Sequence, residues 1–323
     1  MKKTFPIGNL DILEQSLHDY DEDLFADLLI DRTTGSNIRW ATSDYRGNGS
    51  SFEPEAFILP ELVTGPFSSL IQPRAAKTKA EQERRTKDNA EVFTPSWICN
   101  KQNNLIDKAW FGHTRTFNRE CGTKWTAVKK PVEFPDKAGR RWQDYIKENR
   151  LEIACGEAPY LVSRYDATTG EFIPVHRRIG LLDRKLRIAC ENTATRKTWH
   201  KRAAEAFKSI YGFDYQGDNV LLARENLLYT YADYHRLKFG DDPTLPCLKE
   251  IADIISWNIW QMDGLDMTAP YSRKERKYVQ SDISSFLEDI QIRPKEESTE
   301  PLKATIMDWD SNSVIEFSSI AKG

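Results

Sequence analysis

The sequence lacks the features that would place the chain in a membrane or hold it together by disulfides. Its 323 residues contain five cysteines, none of them in a Cys-x-x-Cys pair or a His-rich stretch. This scatter argues against a disulfide framework and against a structural zinc site. No apolar run approaches membrane-spanning length, and Asn9, Asp11 and Glu14 interrupt any signal-peptide core. We expect a reduced, soluble protein of the cytoplasm, without a metal site.

A large net charge is also missing. The 46 Lys and Arg residues are balanced by 49 Asp and Glu residues, which leaves a net charge of -3. The whole molecule therefore does not attract nucleic acid, and any such contact must come from a local patch. The 39% hydrophobic content is enough for a buried core in one large or two modest domains.

The first third of the chain predicts helices and loops. Apolar residues at helical spacing predict one or two short helices within residues 1–30. The basic stretch 74–87 predicts an exposed helix or loop that forms a solvated face or contacts phosphate. Ser96, after Pro95, is the predicted N-cap of a helix that continues to residue 109. Turn signals within residues 111–149 predict an irregular segment or insert.

Two short apolar segments predict the strands of a nucleotide-binding unit. Residues 151–154 precede a glycine turn, and residues 179–182 end in Asp183. Helices are predicted over 193–211 and 219–237, and residues 254–260 form a strand or the start of a helix. The polar segment 272–302 predicts a linker or mobile loop, and 304–317 alternates like a hairpin.

The sharpest local signal is LEIACGEAPYL at residues 151–161. Ala154, Gly156 and Ala158 let the backbone turn tightly and approach a ligand, while Glu152 offers a carboxylate to an amine or hydroxyl. Small residues after a strand are common, so this turn alone does not define a cofactor site. An acid some thirty residues later strengthens the signal.

Asp183 is that acid. At the tip of a second strand its carboxylate would bind a ribose diol through charge-assisted hydrogen bonds; alternatively, it pairs with Arg184 or Arg187 on the surface. The chain has no complete Gly-x-Gly-x-x-Gly motif and no P-loop lysine. S-adenosylmethionine has no phosphate to bind, so these absences favour it over a dinucleotide or ATP.

Four motifs in order resemble amino-methyltransferases that modify adenine N6 in DNA. They are AEVFTP at 90–95, LEIACGEAP at 151–159, IGLLD at 179–183 and ISWNIWQMDGL at 255–265. The similarity extends over most of the chain and is nearest to restriction endonuclease subunit M. It implies an α/β fold, an incomplete Rossmann-like methyltransferase core over residues 89–323, preceded by a helical and irregular region over residues 1–88. It further implies S-adenosylmethionine as cofactor, DNA as partner and a restriction-modification system.

The resemblance also assigns roles to residues. It implies this cofactor-binding set: Phe93, Thr94, Pro95, Glu152, Ala154, Cys155, Gly156, Ala158, Asp183 and Asp263. Residues 93–95 match the element that contacts the methionine portion, and residues 154–156 match the turn beneath the cofactor. Asp183 matches the ribose-binding acid, and Asp263 resembles the residue that hydrogen-bonds the adenine amine. Glu152 stands where Asp is more usual.

One motif of the family is missing. These enzymes hold the flipped adenine with an Asn or Asp followed by Pro-Pro-Tyr or Pro-Pro-Phe, and no such sequence occurs here. The nearest match, Thr268 to Tyr271, lacks the carboxamide. No catalytic residue is therefore assigned, and whether the chain is an enzyme stays open. The missing strand should also leave residues 151–154 as an unpaired hydrophobic edge, covered by the C-terminal hairpin or another chain.

Three interpretations follow. In the first, the chain binds S-adenosylmethionine and a second polypeptide supplies the catalytic strand. In the second, it is a non-catalytic, methyltransferase-derived subunit or decoy that binds DNA or a partner. Its contacts would be the basic residues of one helix, Arg196, Lys197, Lys201 and Arg202. In the third, a truncated gene encodes a product that merely folds. A homo-oligomer is the alternative to a second polypeptide for completing the sheet.

Overall fold

The computed structural model describes residues 3–89, 91–272 and 300–320. Two short helices near the N-terminus, α1 (Glu14–Tyr20) and α2 (Glu22–Leu29), confirm the helical prediction for this region. Asp21 separates them and caps α2, since its Oδ1 accepts a hydrogen bond of 2.9 Å from Leu24 N. A segment of short turns then leads to α3 (Lys79–Asn89) and α4 (Ser96–Phe111).

The α4 helix begins where the sequence predicts, but Ser96 is not its N-cap. Pro95 holds that position, and Ser96 is the first helical residue. The N–H of Ser96 donates instead to Asp166 Oδ2, at 2.7 Å, from a loop seventy residues later. A distant carboxylate therefore satisfies the first free donor of the helix.

The predicted irregular insert contains regular structure. Strands β1 (Asn118–Cys121) and β2 (Lys124–Ala127) pair as an antiparallel hairpin, and α5 (Trp142–Lys147) follows. The prediction of an irregular segment was therefore wrong for these residues. Their mixed polar pattern hides the strands because both are largely exposed.

A parallel three-stranded sheet lies at the centre of the α/β fold. Its strands are β3 (Arg150–Ile153), β4 (Ile210–Asp214) and β5 (Ile259–Gln261), in that spatial order. The prediction of a strand at 151–154 is confirmed. Since all three strands run in one direction, the residues that follow β3 and β4 meet at the same edge of the sheet.

Four helices connect these strands. After β3 a long loop reaches α6 (Leu181–Asn192) and α7 (Arg196–Lys208), which lead into β4. From β4 the chain enters α8 (Gly217–Phe239) and then α9 (Leu245–Asn258), which ends directly before β5. The predicted helices over 193–211 and 219–237 are confirmed, except that the first prediction extends into β4.

The prediction of a second strand at residues 179–182 was wrong. Leu181 and Leu182 belong to the first turn of α6, and Gly180 is its N-cap. All four residues are buried, and a buried strand would have the same kind of apolar sequence. Short apolar runs do not distinguish a buried strand from a buried helix start.

The N-terminal region and the sheet share one hydrophobic core. Residues such as Phe25 and Trp40 belong to the same buried cluster as Leu182 and Leu221. The N-terminal region also covers the outer edge of β5, where the Gln261 side chain donates to and accepts from the backbone of Arg39 at 2.8 Å in both directions.

The C-terminal segment forms the predicted hairpin, β6 (Thr305–Asp308) and β7 (Ser313–Glu316), followed by α10 (Phe317–Ile320). It packs over β4 and β5, where the Phe317 ring lies 5.8 Å from Phe213 and 5.2 Å from Trp260. Most of the predicted linker, residues 273–299, lies outside the described residues.

The hairpin does not extend over β3. Leu151 and Ile153 are in register with Tyr211 and Phe213 and face the same side of the sheet, yet they stay 44% and 70% exposed. No strand other than β4 pairs with β3 in the described part of the chain. Of the helices in residues 3–89, 91–272 and 300–320, none has the length and apolarity needed to cross a bilayer.

Candidate cofactor site

A cleft of about 680 Å³ opens where β3 and β4 end. Residues 91–94, from the loop before α4, form one wall. The turn after β3 forms the floor, and the residues after β4 form the opposite wall. The lining includes Phe93, Glu152, Gly156, Tyr160, Asp214, Tyr215 and Gln216. The cleft therefore lies outside the carboxyl ends of parallel strands, the usual position for ligands in such sheets.

The turn after β3 has a left-handed backbone at Ala154 and Gly156, whose φ angles are +49° and +52°. The N–H of Cys155 continues the sheet by donating to Phe213 O at 2.8 Å, and the N–H of Gly156 donates to Asp214 Oδ2 at 2.9 Å. The turn is thus fixed to β4 rather than to its own strand. Gly156 suits this conformation because it has no Cβ.

Phe93 lies directly against the turn. A Cβ added to Gly156 would come within 3.4 Å of Phe93 Cζ, and the Arg74 guanidinium stands 5.2 Å from the centre of the Phe93 ring. The ring is therefore held between an arginine and the glycine. This contact brings residues 93–94 to the turn, sixty residues later in sequence.

Asp214 is the acid that this structure places at the floor of the cleft. It ends β4, and its Oδ1 accepts a 3.0 Å hydrogen bond from Gln216 N while its Oδ2 accepts from Gly156 N. Burial raises the pKa of the carboxyl group, and the backbone donors and Asn219 oppose that rise. The sequence prediction had put this role on Asp183.

Glu152 also lines the cleft, but backbone donors hold its oxygens. They accept from Tyr160 N at 3.3 Å and from Leu161 N at 3.1 Å. Burial raises the pKa of Glu152 to about 8, in spite of these two hydrogen bonds, and the charge of Asp214 adds to the rise. Glu152 therefore shapes the loop after the turn.

The cleft has an unusual charge balance. Among the described residues, its lining contains the acids Glu91, Glu152 and Asp214 but no Lys, Arg or His. Glu91 is neutralised from behind, because both of its oxygens bind the buried Arg85 at 2.8 and 2.9 Å. A site of this kind offers no cationic partner to phosphate groups.

Asp183 does not reach the cleft. It is fully buried at the third position of α6, where Oδ2 accepts from Gly180 N at 3.2 Å and from Ser163 N at 2.8 Å. Its carboxylate thus joins the start of α6 to the preceding loop. Both interpretations made from the sequence, a ribose contact and a surface pair with Arg184 or Arg187, differ from this geometry.

The other predicted cofactor residues divide into two groups. Phe93, Thr94, Glu152, Ala154, Cys155 and Gly156 line the cleft. Pro95, Ala158 and Asp263 do not: Pro95 lines a separate cavity and Ala158 is fully buried. Asp263 Oδ1 accepts from Leu265 N at 2.9 Å within its own turn, next to a neighbouring pocket that shares Tyr215 with the cleft.

The four predicted DNA-binding cations lie on α7, away from the cleft. Arg196 pairs with Asp241 and lies over Phe239, at the C-terminal end of α8. Because α8 has 23 residues and begins at the cleft, this end is roughly 30 Å away. Arg202 pairs with Glu205 at 2.6 Å, whereas Lys197 and Lys201 are exposed.

The basic stretch 74–87 includes an internal anchor. Arg85 is 1% exposed and binds Asp44, Glu91 and Asp218 at 2.6 to 2.9 Å, and Gln216 at 3.0 Å. Its network supports the cleft wall from behind, since Glu91 and Gln216 both line the cleft. The sequence analysis expected this stretch to form a solvated face or to contact phosphate. Arg85 does neither, because it is buried and bound to acids.

Asp214, Gln216 and Arg85 were missed from the sequence. A signal for Asp214 does exist, because IYGFD at 210–214 is a short apolar run that ends in an acid, like the segment that was chosen. The predicted helix over 193–211 overlapped its start and concealed the strand. Nothing in the local pattern around Arg85 predicts burial, since α3 is otherwise almost entirely polar.

Comparison of the chain with protein-family models, with curated proteins and with solved structures finds no match.

Proposed function

We propose that this chain is the S-adenosylmethionine-binding part of a DNA adenine-N6 methyltransferase of a restriction-modification system, with a Rossmann-like core. One observation carries the proposal: the turn at 154–156 and the acid that ends the adjacent parallel strand, Asp214, share one cleft. A carboxylate at the tip of the second strand suits a ribose diol, and the small turn residues suit close approach of the cofactor.

The charge of the cleft supports this cofactor over a phosphorylated one. S-adenosylmethionine carries a sulfonium and an ammonium group against one carboxylate, whereas dinucleotides and ATP need cations or a glycine-rich amide cradle. In the described part of the chain the lining offers no cation to a phosphate group. Its volume of about 680 Å³ lies within the range of small-molecule sites.

The residues that would hold the cofactor are those that share the cleft. Asp214 would bind the ribose, residues 154–156 would lie beneath the cofactor, and Phe93 with Thr94 would contact its methionine portion. When bound, S-adenosylmethionine supplies an activated methyl group. Asp214 replaces Asp183 in the set proposed from sequence, and Asp263 would reach the cofactor only through the adjoining pocket.

The open side of β3 supports a second component of the site. Leu151 and Ile153 are exposed and line the cleft, and the hairpin covers only β4 and β5 of the same sheet face. Sheets of this class do not leave apolar edge strands uncovered. We infer that a further strand, from another polypeptide segment, pairs with β3 and brings the missing Asn-Pro-Pro-Tyr type of motif to the cleft.

Isothermal titration with S-adenosylmethionine tests the cofactor. We expect saturable binding that Asp214→Ala abolishes, and for which Asp23→Ala, an exposed acid on α2, is the matched control. Titration with ATP should give no heat of binding. Absence of S-adenosylmethionine binding to the folded wild-type chain, with and without a candidate partner, would remove the proposal.

A non-catalytic methyltransferase-derived subunit that binds DNA or a partner is the second candidate. The exposed apolar side of β3 favours it as well, because a partner is needed in either case. Binding of S-adenosylmethionine separates the two, since a decoy has no need of an intact cofactor cleft. Charge reversal of Lys197 and Lys201 tests the helix proposed for its contacts.

A further inference from the structure

A second cavity lies on the far side of residues 93–95. Phe93 and Thr94 line the cofactor cleft, whereas Pro95 and Trp97 line this second cavity, of about 630 Å³. Its other walls come from the β1–β2 hairpin and from the loop that precedes α6. We call it the tryptophan pocket and define it by Trp97, Lys124, Trp125, Phe172 and Arg177.

Three aromatic rings line the tryptophan pocket, those of Trp97, Trp125 and Phe172. The Trp125 indole N–H donates to Arg177 O at 2.8 Å, which fixes the ring relative to the loop. Phe172 is 48% exposed although it lines a cavity. Within the described part of the chain, neither Trp97 nor Phe172 is engaged in a contact with another ring.

The cations of the pocket are not engaged by acids. Lys124 and Arg177 form no ion pair among the described residues, and the Arg177 guanidinium lies 5.8 Å from the centre of the Trp125 ring. This differs from α7, where Arg196 and Arg202 both have carboxylate partners. Unpaired cations are available for phosphate at no cost of breaking an ion pair.

The acids of the pocket leave its positive character largely intact. Asp166 directs its carboxylate to backbone donors, which are Ser96 N at 2.7 Å, Thr168 N at 2.9 Å and Thr169 N at 3.0 Å. It also stands at the N-terminus of α4, where the helix dipole offsets its charge. Glu171 is the other acid, and it is exposed at the rim.

We propose that the tryptophan pocket binds an unpaired nucleotide of a nucleic-acid strand, with the base on the rings of Trp97 and Phe172 and the phosphates on Lys124 and Arg177. Aromatic faces beside unpaired cations are the combination that single strands need. A quaternary ammonium ligand would also suit the rings, but Lys124 and Arg177 would repel it. The identity of the strand as DNA rests on the proposed function, whereas binding of a nucleotide in the tryptophan pocket does not.

Fluorescence anisotropy with a labelled twelve-nucleotide single-stranded DNA tests this inference on the full chain. We expect Phe172→Ala to weaken binding at least about fivefold and Phe172→Tyr to restore it, because base stacking is lost and regained. The double variant Lys124→Ala/Arg177→Ala should weaken binding and lower the dependence on salt by roughly 0.7 in slope per phosphate contact. The matched control, Lys108→Ala/Lys147→Ala, removes the same charge from exposed positions on α4 and α5 and should bind normally.

Other outcomes would overturn the inference. They are normal binding by the pocket variants, loss of binding only in the Lys108→Ala/Lys147→Ala control, duplex DNA bound as tightly as the single strand, or competition by tetramethylammonium. Circular dichroism and thermal unfolding of each variant exclude misfolding as the cause of a loss. Titration of Phe172→Ala with S-adenosylmethionine separates this test from that of the proposed function, since the cofactor should bind unchanged.

Discussion

The backbone N–H of Gly156 donates a hydrogen bond of 2.9 Å to the carboxylate of Asp214. This contact joins the turn after one strand to the acid at the end of the next, and it fixes the floor of the cleft. The donor is the backbone of a residue without a side chain, and the acceptor is a buried carboxylate. Changes at either residue should therefore disturb the floor of the cleft.

Replacement of Gly156 by alanine tests this relationship. The left-handed backbone at φ +52° disfavours a Cβ by roughly 1–2 kcal/mol, and the new methyl would lie 3.4 Å from the Phe93 ring, in the floor of the cleft. We expect a similar loss of stability from Gly122→Ala, where φ is +59° and the site faces open space. Only Gly156→Ala should weaken S-adenosylmethionine binding. Equal affinity in the two variants, measured by titration calorimetry, would contradict the assignment of the cleft floor.

Arg85 and Arg84 form a natural comparison for the support behind the cleft. Arg85 is buried among Asp44, Glu91 and Asp218, whereas Arg84 pairs with Asp44 while remaining 47% exposed. Removal of one partner from a buried network costs about 3–5 kcal/mol, because uncompensated charges stay behind. An exposed pair is worth less than about 1 kcal/mol.

Urea unfolding of Arg85→Met and Arg84→Met measures that difference. We expect a large drop in the free energy of unfolding for Arg85→Met and nearly wild-type stability for Arg84→Met. If both variants lost the same small amount, the buried network would not be what holds residues 85–91 against the cleft.

The sequence predicted much of the scaffold and part of the cleft. The turn at 154–156 was found because glycine and alanine after an apolar strand are local signals. The strand at 210–214 was missed, since four to five residues carry little periodicity and a strong helical pattern precedes them. Asp183 and Asp214 both follow a short apolar run, and only tertiary packing decides which run becomes a strand. The local sequence therefore could not show that Asp214, and not Asp183, ends a strand.

A buried group of carboxyls predicts how stability changes with pH. Glu14 on α1 and Glu225 on α8 are buried, and neither oxygen of Glu225 has a hydrogen-bond partner within the described residues. Burial, and then the charges of Glu14 and Asp11, raise the pKa of Glu225 well above 4.5, while Arg164 opposes the rise. Burial also raises the pKa of Asp11, and the nearby Lys77 opposes that rise.

The raised pKa of Glu225 sets the direction in which stability changes with pH. Above about pH 4.5 the unfolded chain releases a proton that the folded chain keeps, so stability falls as the pH rises toward the folded pKa. The slope is about 1.4 kcal/mol per pH unit for each such proton. Glu225→Gln removes this loss, and we expect its melting temperature to exceed that of the wild type more at pH 8 than at pH 5. Glu22→Gln, on the exposed side of α2, is the control, and parallel pH profiles for all three proteins would refute the prediction.

The exposed side of β3 predicts association. Ile153 is 70% exposed on a strand that has an unpaired edge, and such edges pair with other strands. Leu237 is 58% exposed but lies on helix α8 and belongs to no strand, so it serves as the matched position. We expect Ile153→Lys to remain monomeric in sedimentation velocity at concentrations where the wild type and Leu237→Lys associate. A lysine on the strand repels a second strand and costs little stability, because the isoleucine it replaces is mostly in solvent. Association that persists unchanged in Ile153→Lys would show that strands do not add to the sheet at β3.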